Sequence, residues 1–149
     1  MALMPLDDAL SILLEQANAQ QVTETVSIAA ADADQRILAE PLIADRTLPP
    51  WPNSAMDGYA VRSAEVIPDE PLEVSQKIFA GHMPEALQPG TCARIFTGAP
   101  LPEGADAVEM QENSRVTEDG RVIFSQAVAA GRFVRPAGEE AEPGQFKLE

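Results

Sequence analysis

The spacing of apolar residues changes along the chain, and that change divides it. From Leu6, the residues Leu10, Leu13, Leu14 and Ala17 fall at i+4, i+7, i+8 and i+11, one face of an amphipathic helix over 5–19. Pro5 suits a first helical position, and Asp7 and Asp8 suit the positive end of the helix dipole. Thr25-Val26-Ser27-Ile28-Ala29 alternates polar and apolar, which predicts a half-buried strand. Ala31 to Ala39 predicts a short helix presenting Ile37 and Leu38, and Leu42-Ile43-Ala44 an extended segment. In Leu48-Pro49-Pro50-Trp51-Pro52, closely spaced prolines impose extended or turn geometry, so a module boundary is expected near residue 47.

Beyond that boundary short apolar runs are separated by turn signals. Strands are expected at Gly58–Arg62, Leu72–Phe79, Thr91–Phe96 and Ala107–Gln111. Arg115 to Phe124 places Asp119-Gly120 between two alternating runs, a strong short-range hairpin signal. Val128 and the pair Phe133-Val134 are expected to add edge strands. The fold class expected is mainly β with some α (α+β). An N-terminal helix and extended arm (1–46) lead into an irregular, turn-rich β domain of short strands (47–140). Residues 141–149 form a return segment expected to be truncated.

Composition narrows the functional classes. Thirteen Pro and nine Gly suit a turn-rich β fold better than a helical bundle. The net charge of −14 repels phosphate backbones, so no nucleic-acid partner is expected. No apolar stretch reaches the ~20 residues of a membrane span. No basic residue precedes Arg36, so neither a leader peptide nor a membrane partner is expected, and the expected location is the cytoplasm. Cys92 is the one cysteine, which excludes an intrachain disulfide; in an apolar run it reads as a small core residue. The single histidine, His82, has no acid spaced to orient it, so a Ser54–His82 nucleophilic pair is not expected.

Three segments carry candidate chemistry, each with a plain structural alternative. In Asn53-Ser54-Ala55-Met56-Asp57-Gly58-Tyr59, Asp57 suits a metal or a substrate donor, and Gly58 suits a positive φ or close approach of a ligand. The alternative is a turn in which Asp57 caps its own backbone. In Phe96-Thr97-Gly98-Ala99-Pro100, the Gly98 N–H and the Thr97 hydroxyl suit an anion; the alternative is a loop joining two strands. In Val134-Arg135-Pro136-Ala137-Gly138-Glu139-Glu140, Arg135 presents a fork suited to oxyanions; the alternative is an arginine paired with the adjacent acids.

Taken in order and spacing, these segments resemble the molybdopterin molybdenumtransferase family, which includes bacterial MoeA and the C-terminal domain of gephyrin. Leu48 to Val61 is similar to the family signature, Arg94 to Val108 to its second block, and Val134 to Glu140 to its third. The resemblance covers about residues 5–145. It implies an N-terminal fragment of an enzyme that inserts molybdate into adenylylated molybdopterin with release of AMP, assisted by Mg2+. It implies a homodimer acting on small-molecule substrates, with a cleft between this β-rich domain and a central domain of the other subunit. It places Asp57, Thr97 and Arg135 at catalytic positions. Ser54, Gly58, Gly98 and Glu140 fall at substrate-binding positions, and Asp57 is also the candidate metal ligand. Pro136 and Ala137 depart from members that carry further arginines there. The central domain, which binds the pterin substrate in the family, has no counterpart in this sequence. The fragment alone is therefore expected to be inactive and to hold no bound cofactor, and the helix stripe to lie exposed or covered by a neighbouring chain. The alternative is a non-catalytic scaffold or dimerisation module of the same fold.

Overall fold

The computed structural model describes residues 4–148. The chain divides into two compact units, Met1–Glu40 and Pro41–Glu149. In the first unit, helix α1 spans Leu6–Ala19, with Pro5 in extended geometry just before it and Asp7 and Asp8 in its first turn. None of its residues is buried, and Leu6, Leu10, Leu13 and Leu14 are exposed. Residues 21–29 follow without regular structure, so the strand expected at Thr25–Ala29 is not formed. A strand must give its backbone groups to a neighbour, and no described strand pairs with this segment. The helix expected over Ala31–Ala39 shrinks to one 3-10 turn, Ala30–Asp32. Gln35 takes a left-handed φ of 61°, which a helix cannot propagate through.

The second unit is built on a six-stranded curled sheet. Its strands are β3 (Gly58–Val61), β4 (Pro71–Ile78), β5 (Thr91–Ile95), β6 (Ala107–Met110), β7 (Ser114–Val116) and β8 (Val122–Phe124), in the order β6-β3-β5-β4-β8-β7. All neighbours are antiparallel except β4 and β5. Two short antiparallel pairs flank it. With β1 (Leu42–Ile43), β2 (Asn53–Ser54), β9 (Val134–Arg135) and β10 (Phe146–Leu148), they are β1–β10 and β2–β9. The β7–β8 hairpin closes on Asp119-Gly120 as expected: Gly120 has φ 84° and its N–H donates to the Thr117 carbonyl at 3.0 Å. Val128 forms no strand but is buried, and Phe133, at φ 50°, leaves only Val134–Arg135 extended.

Period-two alternation gives the sheet two apolar faces. Tyr59, Val61, Cys92, Ala107, Val122 and Phe124 pack on one, and Ala60, Ile78, Ala93, Ile95 and Val108 on the other. Burial pushes the Cys92 thiol up to about 12, so it remains protonated at neutral pH. The folded chain is expected to resist iodoacetamide at mildly alkaline pH and to take up one label in urea, read by intact mass. Rapid labelling without denaturant would show that the β4–β5 seam opens. Among the described residues no helix is long and apolar enough to cross a membrane.

Candidate functional site

The three candidate segments meet on the shortest of strands. β2 bridges to Pro100 on one side through Asn53 and pairs with β9 on the other, with Asn53 opposite Arg135 and Ser54 opposite Val134. The Ser54 N–H donates to the Ala99 carbonyl at 3.0 Å, and the Ala55 N–H to the Phe133 carbonyl at 2.9 Å. The Glu140 N–H reaches back to the Leu48 carbonyl at 2.9 Å. Prolines around Trp51 keep this stretch extended, so its few free backbone groups face both neighbouring loops.

Asp57 caps a distant strand end rather than its own turn. One carboxylate oxygen, Oδ1, accepts the Thr97 N–H at 2.8 Å and the Thr97 hydroxyl at 2.7 Å, across 40 residues of sequence. Those two donors, the backbone one first, hold the Asp57 carboxyl below its ordinary range, with a smaller contribution from the Arg94 charge. Asp57 and Thr97 are both exposed, and among the described residues Oδ2 accepts no hydrogen bond.

The remaining candidates are tied within the chain. Ser54 is fully buried; its hydroxyl donates to the Met56 carbonyl at 2.6 Å and accepts the Met56 N–H at 3.3 Å. Gly98 takes a left-handed φ of 77°, and its N–H, which the sequence offers to an anion, instead donates to the Ser54 carbonyl at 2.8 Å. The Thr97 hydroxyl is likewise turned to Asp57. Gly58 is buried and does not need a positive φ. Its reason is close approach by β6, because a Cβ there would stand 1.9 Å from the Glu109 carbonyl oxygen. Arg135 adopts the paired reading, meeting Glu139 at 2.7 Å and Glu140 at 2.6 Å. Exposed pairs of this kind exchange readily with solvent or ligand, since their net contribution is small.

A sequence profile of the MoeA N-terminal region (domain I and II) matches residues 4–149. The chain belongs to this family. It is 40% identical over 148 residues to a molybdopterin molybdenumtransferase of Haemophilus influenzae, covering 99% of this chain and 36% of that protein. A molybdopterin molybdenumtransferase of a Nostoc species is 46% identical, covering 91% of this chain and 33% of its own length. The crystal structure of a molybdopterin biosynthesis moeA protein from Pyrococcus horikoshii superposes with a TM-score of 0.84 at 28% identity, over 99% of this chain and 40% of that one. The MoeA-family chain thus spans between a third and two-fifths of the length of these relatives.

Two site residues escape a reading by residue type. Arg94 on β5 lies between the rings of Tyr59 and Phe96, with its Cζ 5.3 and 4.5 Å from their centroids. It donates to the Gly58 carbonyl at 2.7 Å and to the Gln111 side chain at 2.6 Å, so it fixes the residue next to Asp57. Glu109 on β6 is buried, 3.2 Å from the Arg132 guanidinium, and accepts from the Asn113 amide at 2.8 Å. The available signal is alternation: each charge stands inside an apolar run. Among the described residues no group of three or more His, Cys, Asp or Glu is placed to hold a metal. Mg2+ commonly binds through one or two carboxylates with phosphate and water completing its shell. The second Asp57 oxygen fits one such position, and the rest of the shell would come from outside these residues.

Proposed function

We propose that this chain is the N-terminal fragment of a molybdopterin molybdenumtransferase and contributes one wall of its cleft. The whole protein would insert molybdate into adenylylated molybdopterin with release of AMP, working as a cytoplasmic homodimer with Mg2+. The observation that carries the reading is the Asp57–Thr97 pair. It joins two separate family motifs into one exposed acid, ionised at neutral pH, whose second oxygen accepts no hydrogen bond among the described residues. In this reading Asp57 holds the cation or a substrate donor, and Thr97 orients Asp57. Arg135 and Glu140 form an exposed ion pair that an anionic substrate can open. Ser54, Gly58 and Gly98 set the backbone beneath them.

The second reading, a scaffold or dimerisation module of the same fold, draws on the internal engagement of the Gly98 and Thr97 donors and on the exposed stripe of α1. One experiment separates the two. The purified 149-residue chain and the whole reading frame containing it are each given adenylylated molybdopterin, molybdate and Mg2+. The fragment is expected to form no molybdenum cofactor above a protein-free blank, because one wall cannot orient the substrate. The whole frame is expected to form it. A whole frame that yields none would overturn the enzyme reading.

A further inference from the structure

One row of the sheet face gathers two cations against a pair of stacked phenyl rings. Lys77 on β4 stands opposite Arg94 on β5, and Arg94 opposite Tyr59 on β3. The Lys77 ammonium lies 5.5 Å from the Phe79 ring centroid and 5.7 Å from that of Phe96. The two phenyl rings stack in parallel, with centroids 4.9 Å apart and planes 5° apart. Arg94 covers Phe96 from 4.5 Å, and His82 meets Phe79 edge-on at 6.2 Å. The result is a continuous ladder of rings and cations ending in Phe79, which is 46% exposed.

Five of the seven other described arginines are neutralised, while Arg36 and Arg115 form no salt bridge among the described residues. Arg46, Arg62, Arg121, Arg132 and Arg135 each meet a carboxylate. Lys77 and Arg94 form no salt bridge among the described residues, in a chain whose net charge is −14 and which has acids in excess. Arg94 gives three of its five N–H groups to the Gly58 and Ile95 carbonyls and the Gln111 side chain, which leaves two. Asp57 acts on it only from the adjoining loop. Two cations facing each other on neighbouring strands repel. The aromatic faces beneath them offset that repulsion without cancelling the charge.

We propose that Lys77, Arg94, Phe79 and Phe96 form a ligand ledge for a phosphate-type oxyanion carried on a planar ring. The anion lies against Lys77 and the remaining Arg94 donors, and the ring extends the Phe79 stack. Because Phe96 precedes Thr97, an occupied ledge adjoins the Asp57–Thr97 pair. It also places the anion away from Arg135, whose fork is taken by Glu139 and Glu140. The ledge is a property of this chain's own surface and stands whether or not the whole protein transfers molybdenum.

The test uses the 15N-labelled chain and three probes: phenyl phosphate, inorganic phosphate and phenol. Phenyl phosphate at millimolar concentration is expected to shift the amides of 77–79 and 94–97, and to bind more tightly than either other probe. Lys77→Gln should weaken both phosphates about tenfold, the effect of losing one charged contact. Phe79→Leu should weaken phenyl phosphate alone, and added salt should weaken both phosphates. An unchanged amide spectrum outside the ledge verifies that each variant is folded. Shifts centred on Arg132 or Arg135, indifference to Lys77→Gln, or no shift at all would overturn the site. Equal affinity for the two phosphates would overturn the part played by the ring.

Discussion

Gly58→Ala is expected to cost about 3 kcal/mol or more and to lower the melting temperature by roughly 10 °C. The added methyl would sit 1.9 Å from the Glu109 carbonyl oxygen, 2.8 Å from its carbonyl carbon and 3.0 Å from the Met110 Cα. All three are backbone atoms, so no side chain can swing aside. β3 cannot shift away either, because β5 pairs with its other edge. The β3–β6 pairing must therefore open at the residue beside Asp57. Circular dichroism melts of the variant and the parent chain decide it. Gly98→Ala is the control: its Cβ meets nothing within 4 Å and only the left-handed φ opposes it, a cost of about 1–2 kcal/mol. Equal melting temperatures for Gly58→Ala and the parent would mean that the β6 backbone yields freely.

Asp57→Asn in the whole protein is expected to lower cofactor formation roughly ten- to hundredfold, the range of a lost charged contact expressed in the transition state. The melting temperature should hardly move. The amide oxygen can still accept the Thr97 N–H and hydroxyl, so the link between the two motifs survives. What disappears is the negative charge presented by the unpartnered oxygen. The Thr97 donors depress the folded-state value, so the charge is fully present through the neutral range. Whatever stability it contributes exists above the ordinary carboxylate range and is lost only as pH falls through the depressed value. The defect should therefore be independent of pH near neutrality. A normal rate in a normally folded variant would remove Asp57 from the site.

The β domain is legible in sequence wherever alternation and a turn signal coincide. Asp119-Gly120 fixes a hairpin because few other residues accept its geometry, and Cys92 reads as core because its neighbours do. The failed strand and the hidden site residues have a common cause. Thr25–Ala29 carries the alternation of a strand, but a strand exists only with a partner, and pairing is not written in a local pattern. The same limit hides Arg94 and Glu109, which nothing in the local pattern singles out until β3 is placed between β5 and β6. Gly98 illustrates it at one atom: the sequence offers its N–H to an anion, but the fold delivers Ser54 to it first.

The two-residue strand β2 also sets a clock during synthesis. Ser54 pairs with Val134, so about 80 residues are still to be translated after Ser54 before that pairing can form. At roughly 5–20 residues per second the ribosome takes about 4–16 s to deliver them. Through that interval the segment around Trp51 waits without its flanking strand β9, while the local β7–β8 hairpin, complete within 11 residues from Ser114 to Phe124, can close as soon as it emerges. The β2–β9 side of the candidate site is therefore assembled late on the nascent chain, after the residues of the Asp57–Thr97 link have both been translated.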